Sequence, residues 1–155
     1  MKILVSACLM GTNCKYDGKN NFRQHIADFV KGHNVIQVCP EVMGGRSIPR
    51  LAIEIKNGRF VDINGQDVDD EVRTGVQMAL EIAKKERIDL AILKSRSPTC
   101  GVHQIYDGSF SGKLIDGQGA LAQALAENGF RVLDAEDIPE NQNDALKNEA
   151  SREKK

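Results

Sequence analysis

The amino-acid sequence predicts a single-domain α/β sandwich of Rossmann-like type, with a mostly parallel sheet, helices on both faces and one added β-hairpin. Short apolar runs of strand length alternate along the chain with segments of helical periodicity, an order typical of parallel sheets covered by helices. A length of 155 residues suits one hydrophobic core. We therefore expect one domain over residues 1–138, followed by a polar, flexible C-terminal tail over residues 139–155.

Apolar runs at residues 3–8, 35–38, 89–95 and 130–133 predict the strands of the main sheet. A further region, residues 52–63, alternates apolar and charged side chains on either side of Asn57-Gly58. That dipeptide is typical of a two-residue hairpin turn. We expect this hairpin to stand apart from the main sheet.

Three segments show the three- and four-residue spacing of an amphipathic helix: residues 22–31, 67–87 and 120–128. The second is the most secure, because Asp69, Asp70 and Glu71 crowd its first turn while Lys84 and Lys85 lie in its last. These charges complement the helix dipole at both ends. Strands and helices therefore alternate, as a parallel sheet requires.

The charge balance argues against nucleic acid as a partner, since 21 basic residues stand against 22 acidic ones and the net charge is −1. No apolar run approaches the length that spans a membrane. We therefore expect a cytoplasmic protein whose partner is a small molecule, with no DNA or membrane involved and with its oligomeric state left open.

Cysteines follow three of the predicted strands. Cys8 closes the first run, Cys39 follows the second, and Cys100 lies beyond the third. The carboxyl ends of parallel strands meet at one edge of a sheet, where α/β proteins bind their ligands. A fourth cysteine, Cys14, lies in the polar loop after the first strand. The thiols are therefore expected to form a site, since cysteines in a reducing cytosol are more often ligands or nucleophiles than disulfides.

The spacing of the thiols favours some ligands over others. Structural zinc sites usually draw cysteines in pairs two to four residues apart, whereas Cys8 and Cys14 are the nearest two here. An iron–sulfur cluster accepts thiolates from separated loops. The alternative is that individual thiols are small buried apolar groups.

The segments around these cysteines carry a family resemblance. They are VSACLMG at 5–11, CKYDG at 14–18, VCPE at 38–41, KSRSPTCG at 94–101, and GSFSG at 108–112 followed by GQG at 117–119. Together they closely resemble the signature blocks of the thiouracil desulfidase family, and the resemblance runs from about Met1 to Asp137. It implies a compact α/β enzyme that removes sulfur from thiolated uracil, or a related thiolated nucleobase or nucleoside, without net redox change and releases it as hydrosulfide.

The resemblance also implies a cofactor and a set of site residues. By similarity, a [4Fe-4S] cluster is held by Cys8, Cys39 and Cys100, which leaves one iron without a protein thiolate. An open iron is a Lewis acid. Cys14 also lies in a matching block and competes for one of the three places. The family pattern implies that Glu41 acts as the catalytic acid and base.

Ser97 is expected to hydrogen-bond the substrate or the attacking water, with Ser95 as its competitor. Ser97 is also placed to shape the turn before Pro98. Lys94 and Arg96 are candidates for attracting an anionic substrate, and His103 is the weakest candidate of the region.

Two other functions compete with the desulfidase. The same thiols could bind zinc or an iron–sulfur cluster in an accessory module that performs no turnover. Alternatively, Cys8 and Cys14 could form the nucleophilic and resolving thiols of a redox protein.

Overall fold

The computed structural model of the protein describes residues 1–140. Strands and helices alternate along most of this length. In chain order they are β1 (Lys2–Ser6), α1 (Gln24–Val30), β2 (Asn34–Val38), α2 (Pro40–Met43), β3 (Ile53–Lys56), β4 (Arg59–Asp62), α3 (Asp69–Glu86), β5 (Leu90–Leu93), β6 (Gln104–Tyr106), β7 (Leu114–Asp116), α4 (Ala120–Glu127) and β8 (Val132–Asp134). Short 3-10 turns follow β1 at Ala7–Met10 and β8 at Ala135–Asp137.

The central sheet has four parallel strands in the order β2-β1-β5-β8. The chain passes from β1 outward to β2 and then returns to the other side of β1 as β5. The winding therefore reverses next to β1, and the carboxyl ends of β1, β2 and β5 open on one crevice. Such a reversal is where open α/β sheets bind ligands.

Helices cover both faces of the sheet. Successive side chains of its inner strands point to opposite faces, so each strand contributes to two cores. On β1, Leu4 joins the core that contains α3 and α4, whereas Ile3 and Val5 join the core that contains α1. On β5, Ala91 and Leu93 face the first core, and Leu90 and Ile92 face the second. The predicted fold class, a mostly parallel sheet between helical layers, is confirmed.

The predicted hairpin is present and separate from the main sheet. Strands β3 and β4 pair antiparallel across Asn57 and Gly58, which both have positive φ as this tight turn requires. A second antiparallel hairpin, β6–β7, was not predicted. Each of its strands has three residues, too few to show an alternating pattern.

The predicted helices shift by a few residues at their ends. The first begins at Gln24 rather than Phe22, and α3 spans Asp69–Glu86 within the expected 67–87. The predicted tail at 139–155 lies, from residue 141 on, outside the described residues. Within residues 1–140, no helix has the length and apolar character needed to cross a membrane.

Candidate active site

A cavity of about 480 Å³ opens at the carboxyl edge of the central sheet. This volume falls within the range of small-molecule sites. All four cysteines line it, together with Glu41 and Ser97. The structure therefore brings together the four thiols, Glu41 and Ser97, from loops that are far apart along the chain.

Cys8 and Cys39 are held by the turns that follow β1 and β2. Cys8 lies in the 3-10 turn Ala7–Met10, and Cys39 is the residue immediately before α2, with Pro40 as the first helical residue. The side-chain amide of Asn21 donates to Cys8 Sγ over 3.5 Å. Cys8 is 9% exposed, and Cys39 is half-buried.

The surroundings of Cys8 and Cys39 favour thiolates. Hydrogen bonding from the Cys14 thiol, assisted by Asn21 and by the charges of Lys94 and Lys15, lowers the pKa of Cys8 to about 6 against the opposing effect of burial. The Cys14 thiol likewise lowers the pKa of Cys39 to about 7, with help from the Val42 backbone N–H and the Arg50 charge. Thiolates are the form that binds metals.

Cys14 and Cys100 differ from these two. Hydrogen bonding to Cys39 and Cys8, together with burial, raises the pKa of Cys14. Burial raises the pKa of Cys100 to about 12, although Ser6 and Thr99 hydrogen-bond to it. Because one S–H can donate to one acceptor at a time, the Cys14 thiol lowers the pKa of Cys8 or of Cys39, but not of both at once.

Glu41 lies in the first turn of α2, two residues after Cys39. Its side chain is 15% exposed, and Oε1 accepts a hydrogen bond from Arg50 Nε over 3.1 Å. Arg50 also donates through its guanidinium to the carbonyl of Cys14 over 2.9 Å. The arginine therefore orients the carboxylate and ties it to the loop that carries Cys14. Among residues 1–140, no hydrogen bond reaches Glu41 Oε2.

Ser97 shapes the turn that leads to Cys100. Its Oγ accepts from the backbone N–H groups of Thr99 and Cys100, each over 3.2 Å, and lies 2.8 Å from Thr99 Oγ1. Both lone pairs of the hydroxyl are therefore occupied, and because Thr99 Oγ1 donates to Cys100 Sγ, the Ser97 hydrogen is donated to Thr99 Oγ1. Ser97 can therefore donate to a ligand only by giving up its bond to Thr99. Ser95, its competitor, also lines the cavity, but it is buried and its hydroxyl donates to Asp134.

The remaining candidates have different positions. Lys94 lines the cavity, donates to the Ser95 carbonyl over 2.8 Å, and has its pKa lowered by burial. Arg96 also lines the cavity but is ion-paired with Glu136. His103, the weakest candidate from the sequence, lies outside the cavity and is ion-paired with Asp137.

Sequence reasoning missed Arg50, Glu54 and Asn21, which also line the cavity. Arg50 follows a non-periodic loop with a cis peptide bond at Ile48-Pro49. Glu54 lies in β3 between Ile53 and Ile55, where strand alternation assigns it to solvent, yet it is 8% exposed. The sequence around Arg50 and Glu54 gave no signal that they line the cavity, because the position of each side chain depends on contacts with distant loops.

The donor set of the cavity fits an iron–sulfur cluster. Three of its thiols follow three neighbouring strands, and hydrogen bonding from Cys14, assisted by basic side chains, favours the thiolate form of Cys8 or Cys39. Within residues 1–140, no three Cys, His, Asp or Glu side chains are arranged to hold a single metal ion. A cluster differs from a single ion in that its ligands bind separate irons.

A parallel α/β sheet with a thiol-lined cavity at its topological switch point defines a small ligand-binding α/β protein with the donors for a metal cofactor. Residues 3–137 match the model of the family described as 2-thiouracil desulfurase. The chain therefore belongs to the 2-thiouracil desulfurase family.

Two relatives extend this result. The chain is 36% identical over 146 residues to a Bacillus subtilis (strain 168) protein described as "Uncharacterized protein YbbK", an alignment that covers 88% of this chain and 97% of the relative. It is also similar to the solved structure of "[4Fe-4S]-dependent thiouracil desulfidase TudS (DUF523Vcz)". That match has a TM-score of 0.83 and 35% sequence identity, and covers 90% of this chain and 93% of the other.

Proposed function

We propose that this protein is a desulfidase that replaces the sulfur of a thiolated uracil, or of a related nucleobase or nucleoside, with oxygen from water. One C=S bond becomes one C=O bond, and the sulfur leaves as hydrosulfide with one proton, so no oxidant or reductant is needed. The observation that carries the proposal is the convergence of the cysteine thiols and the Arg50-oriented Glu41 in one cavity. Membership of the desulfurase family supports it.

We assign the cofactor as a [4Fe-4S] cluster, the group on which the similar solved protein depends, and Cys8, Cys39 and Cys100 as the residues that hold it. Bound by three protein thiolates, such a cluster supplies an iron that acts as a Lewis acid toward sulfur. Asn21, Lys15 and Lys94 stabilise negative charge on the Cys8 thiolate, and Arg50 does so for Cys39.

Glu41 and Ser97 have distinct roles in the proposed reaction. Glu41, held through Oε1 by Arg50, takes a proton from the attacking water at Oε2 and returns it to the departing group. Ser97, whose lone pairs are occupied by backbone N–H groups, exchanges its bond to Thr99 Oγ1 for one to the ring or to the water, as a donor.

The first test is anaerobic reconstitution with iron and sulfide, followed by an absorption spectrum and a hydrosulfide assay with 2-thiouracil. Cluster absorption with sulfide release supports the desulfidase. A cluster without release from thiouracil or thiouridine would favour the accessory metal-binding module, and activity in iron-free protein would favour the redox-thiol alternative.

Glu41→Gln is the sharpest variant for the chemistry. The amide keeps a hydrogen-bond acceptor for Arg50 but cannot take up the proton, so we expect retained cluster absorption and a loss of rate of about 100-fold or more. Glu71→Gln is the matched control, since Glu71 also pairs with an arginine, Arg46, but lies outside the cavity. Normal turnover by Glu41→Gln would remove Glu41 from the mechanism.

A further inference from the structure

The loop that joins β6 to β7, residues 107–113, covers one side of the cavity. Its centre reads Gly-Ser-Phe-Ser-Gly, so Phe110 is the one large side chain among small ones. Phe110 is half-buried and lines the cavity, as do Tyr106 and Glu54. An aromatic ring is thus presented to the space where the substrate would bind.

Phe110 has an unfavourable backbone conformation. Its φ is +57°, in the left-handed region that bulky residues rarely adopt. A residue is held in such a conformation only when its surroundings impose it, and these residues cluster at ligand sites. Contacts with other parts of the chain therefore hold the loop in this conformation.

Glu54 makes the main contact from outside the loop. Its Oε1 accepts hydrogen bonds from the backbone N–H of Gly108 over 2.9 Å and from that of Phe110 over 3.2 Å. Glu54 is more than nine-tenths buried, and it belongs to strand β3, which lies against the loop. A buried carboxylate that accepts two backbone donors fixes both of them.

Gly108 brings the loop and β3 into direct contact. A Cβ atom at this position would lie 2.5 Å from the carbonyl oxygen of Ile55, so only glycine allows the approach. Within the loop, Asp107 accepts from the backbone and hydroxyl of Ser109, over 2.9 and 2.5 Å. The loop is therefore preorganised around Phe110.

We propose that Phe110 stacks on the pyrimidine ring of the substrate and that Glu54 is the positioning residue that holds Phe110 in place. This inference rests on the proposed function, because it assigns the ring-recognition side of the same cavity. Aromatic side chains bind nucleobases through their π-faces, whatever the exocyclic atom. Phe110 therefore recognises the ring, while the thiols and Glu41 act on the thiocarbonyl.

The test compares Phe110→Leu with Phe110→Tyr in the reconstituted holoprotein. Leucine keeps an apolar side chain but removes the π-face, so we expect KM for 2-thiouracil and Kd for uracil to rise about tenfold with kcat within about twofold. Tyrosine restores both constants. Phe29→Leu is the matched control, because Phe29 is also half-buried but lies on α1 away from the cavity. Circular dichroism and thermal unfolding verify that each variant is folded.

Glu54 is tested by Glu54→Ala and Glu54→Gln. Alanine removes the acceptor of two backbone N–H groups, and we expect it to reproduce the rise in KM and Kd. Glutamine keeps a carbonyl acceptor, so we expect it to restore KM and Kd to their wild-type values. If the negative charge of Glu54 were required instead, glutamine would raise both constants as alanine does. A fall in kcat for Glu54→Gln with KM unchanged would overturn the positioning role in favour of proton transfer.

Uracil binding separates this inference from the proposed function, because uracil carries the ring without the sulfur. If the wild-type holoprotein releases sulfide normally and Phe110→Leu leaves KM and uracil Kd unchanged, the stacking proposal is wrong and the desulfidase stands. If no thiolated pyrimidine is turned over but uracil binds in a Phe110-dependent way, the stacking proposal is supported and the reaction is wrong.

Discussion

Cys14 belongs to a loop rather than to a strand end, and its backbone carbonyl accepts from Cys39 Sγ over 3.7 Å and from Arg50 over 2.9 Å. Hydrogen bonding from its thiol lowers the pKa of Cys8 or of Cys39. We infer that Cys14 is a hydrogen-bond donor to the ligands rather than a ligand itself. Cys100, on the loop after β5, then completes the set of three.

Serine variants test this assignment at single residues. We expect Cys14→Ser to retain the cluster, since a hydroxyl keeps the donor, and Cys100→Ser to lose it, since a hydroxyl does not replace a thiolate as a ligand for iron. Iron and acid-labile sulfide content after anaerobic reconstitution, together with the absorption spectrum, measure retention without reference to activity. If Cys14→Ser lost the cluster and Cys100→Ser retained it, Cys14 would be the ligand and Cys100 would not.

The predictability of single residues depended on their distance from a strand end. The position of Cys8, Cys39 and Glu41 in the cavity could be predicted, because each residue follows a strand in a recognisable sequence block. Glu54 could not be, because the groups that bury it, the N–H groups of Gly108 and Phe110, come more than fifty residues later. Local patterns record local contacts, and a buried carboxylate satisfied by a distant loop looks like a solvent-facing one.

Among the elements, α2 contributes most directly to the site, since it begins after Cys39 and carries Glu41. It packs against α3 at a contact between backbones. A Cβ on Gly75 of α3 would lie 1.6 Å from the Pro40 carbonyl oxygen, and one on Gly44 would lie 1.9 Å from the Glu71 carbonyl oxygen. The two glycines let α3 support the turn that holds the thiol and the carboxylate.

Gly75→Ala tests this support. Alanine favours a helix over glycine by about 1 kcal/mol, but here it forces the backbones apart, and overpacking costs about 1–3 kcal/mol. We expect a net loss of unfolding free energy in urea, together with slower sulfide release as Cys39 and Glu41 move. Thr74→Ala, on the exposed side of the same turn, is the control and should lose little stability. Equal stability of the two variants would contradict the close contact.

Elements with a periodic pattern, an apolar run or a turn signal could be predicted, even short ones such as β5 and β8, and elements without such a signal could not. The periodicity and end charges of α3 mark it over eighteen residues. By contrast, α2 has four residues, and β6 and β7 have three each. These elements form through tertiary contacts rather than through a pattern of their own. Some of the unpredicted pieces nonetheless line the cavity, as Glu41 of α2 and Tyr106 of β6 do.

For the whole molecule, strand order determines which residues can meet. The order β2-β1-β5-β8 places the loops after β2, β1 and β5 side by side, so Cys39, Cys8 and Cys100 meet only when the complete sheet has formed. Parallel strands need long crossover connections, and the thiols come from three of them. Cluster retention should therefore track global folding as well as the identity of the ligands.

An ion pair and a hydrogen bond connect the C-terminal end of the described fold to the residues that follow Cys100. His103 Nε2 lies 2.9 Å from Asp137 Oδ2, and Val102 N–H donates to Asp134 over 3.3 Å. Hydrogen bonding to Asp137 raises the pKa of His103, and the charges of Asp137, Asp134 and Glu136 act in the same direction. This ion pair joins the 3-10 turn after β8 to the rest of the molecule.

The raised pKa sets the sign of a pH dependence. A histidine whose pKa is higher in the folded than in the unfolded state stabilises the protein fully below the unfolded value, near 6.5, and this contribution is lost as pH rises through the folded value. We therefore expect wild type to exceed His103→Gln in unfolding free energy at pH 5.5, by about 0.2–1 kcal/mol as for exposed ion pairs. The difference should shrink toward zero by pH 9, since both side chains are then neutral.

Urea unfolding of the two proteins across this pH range, at low and high salt, measures the contribution. His103 is 62% exposed, so added salt should reduce the difference at pH 5.5 through screening. A difference that stays constant with pH would assign the effect to packing of the ring rather than to its charge. A difference that grows with pH would mean that neutral histidine is the stabilising form, opposite to the ion pair with Asp137.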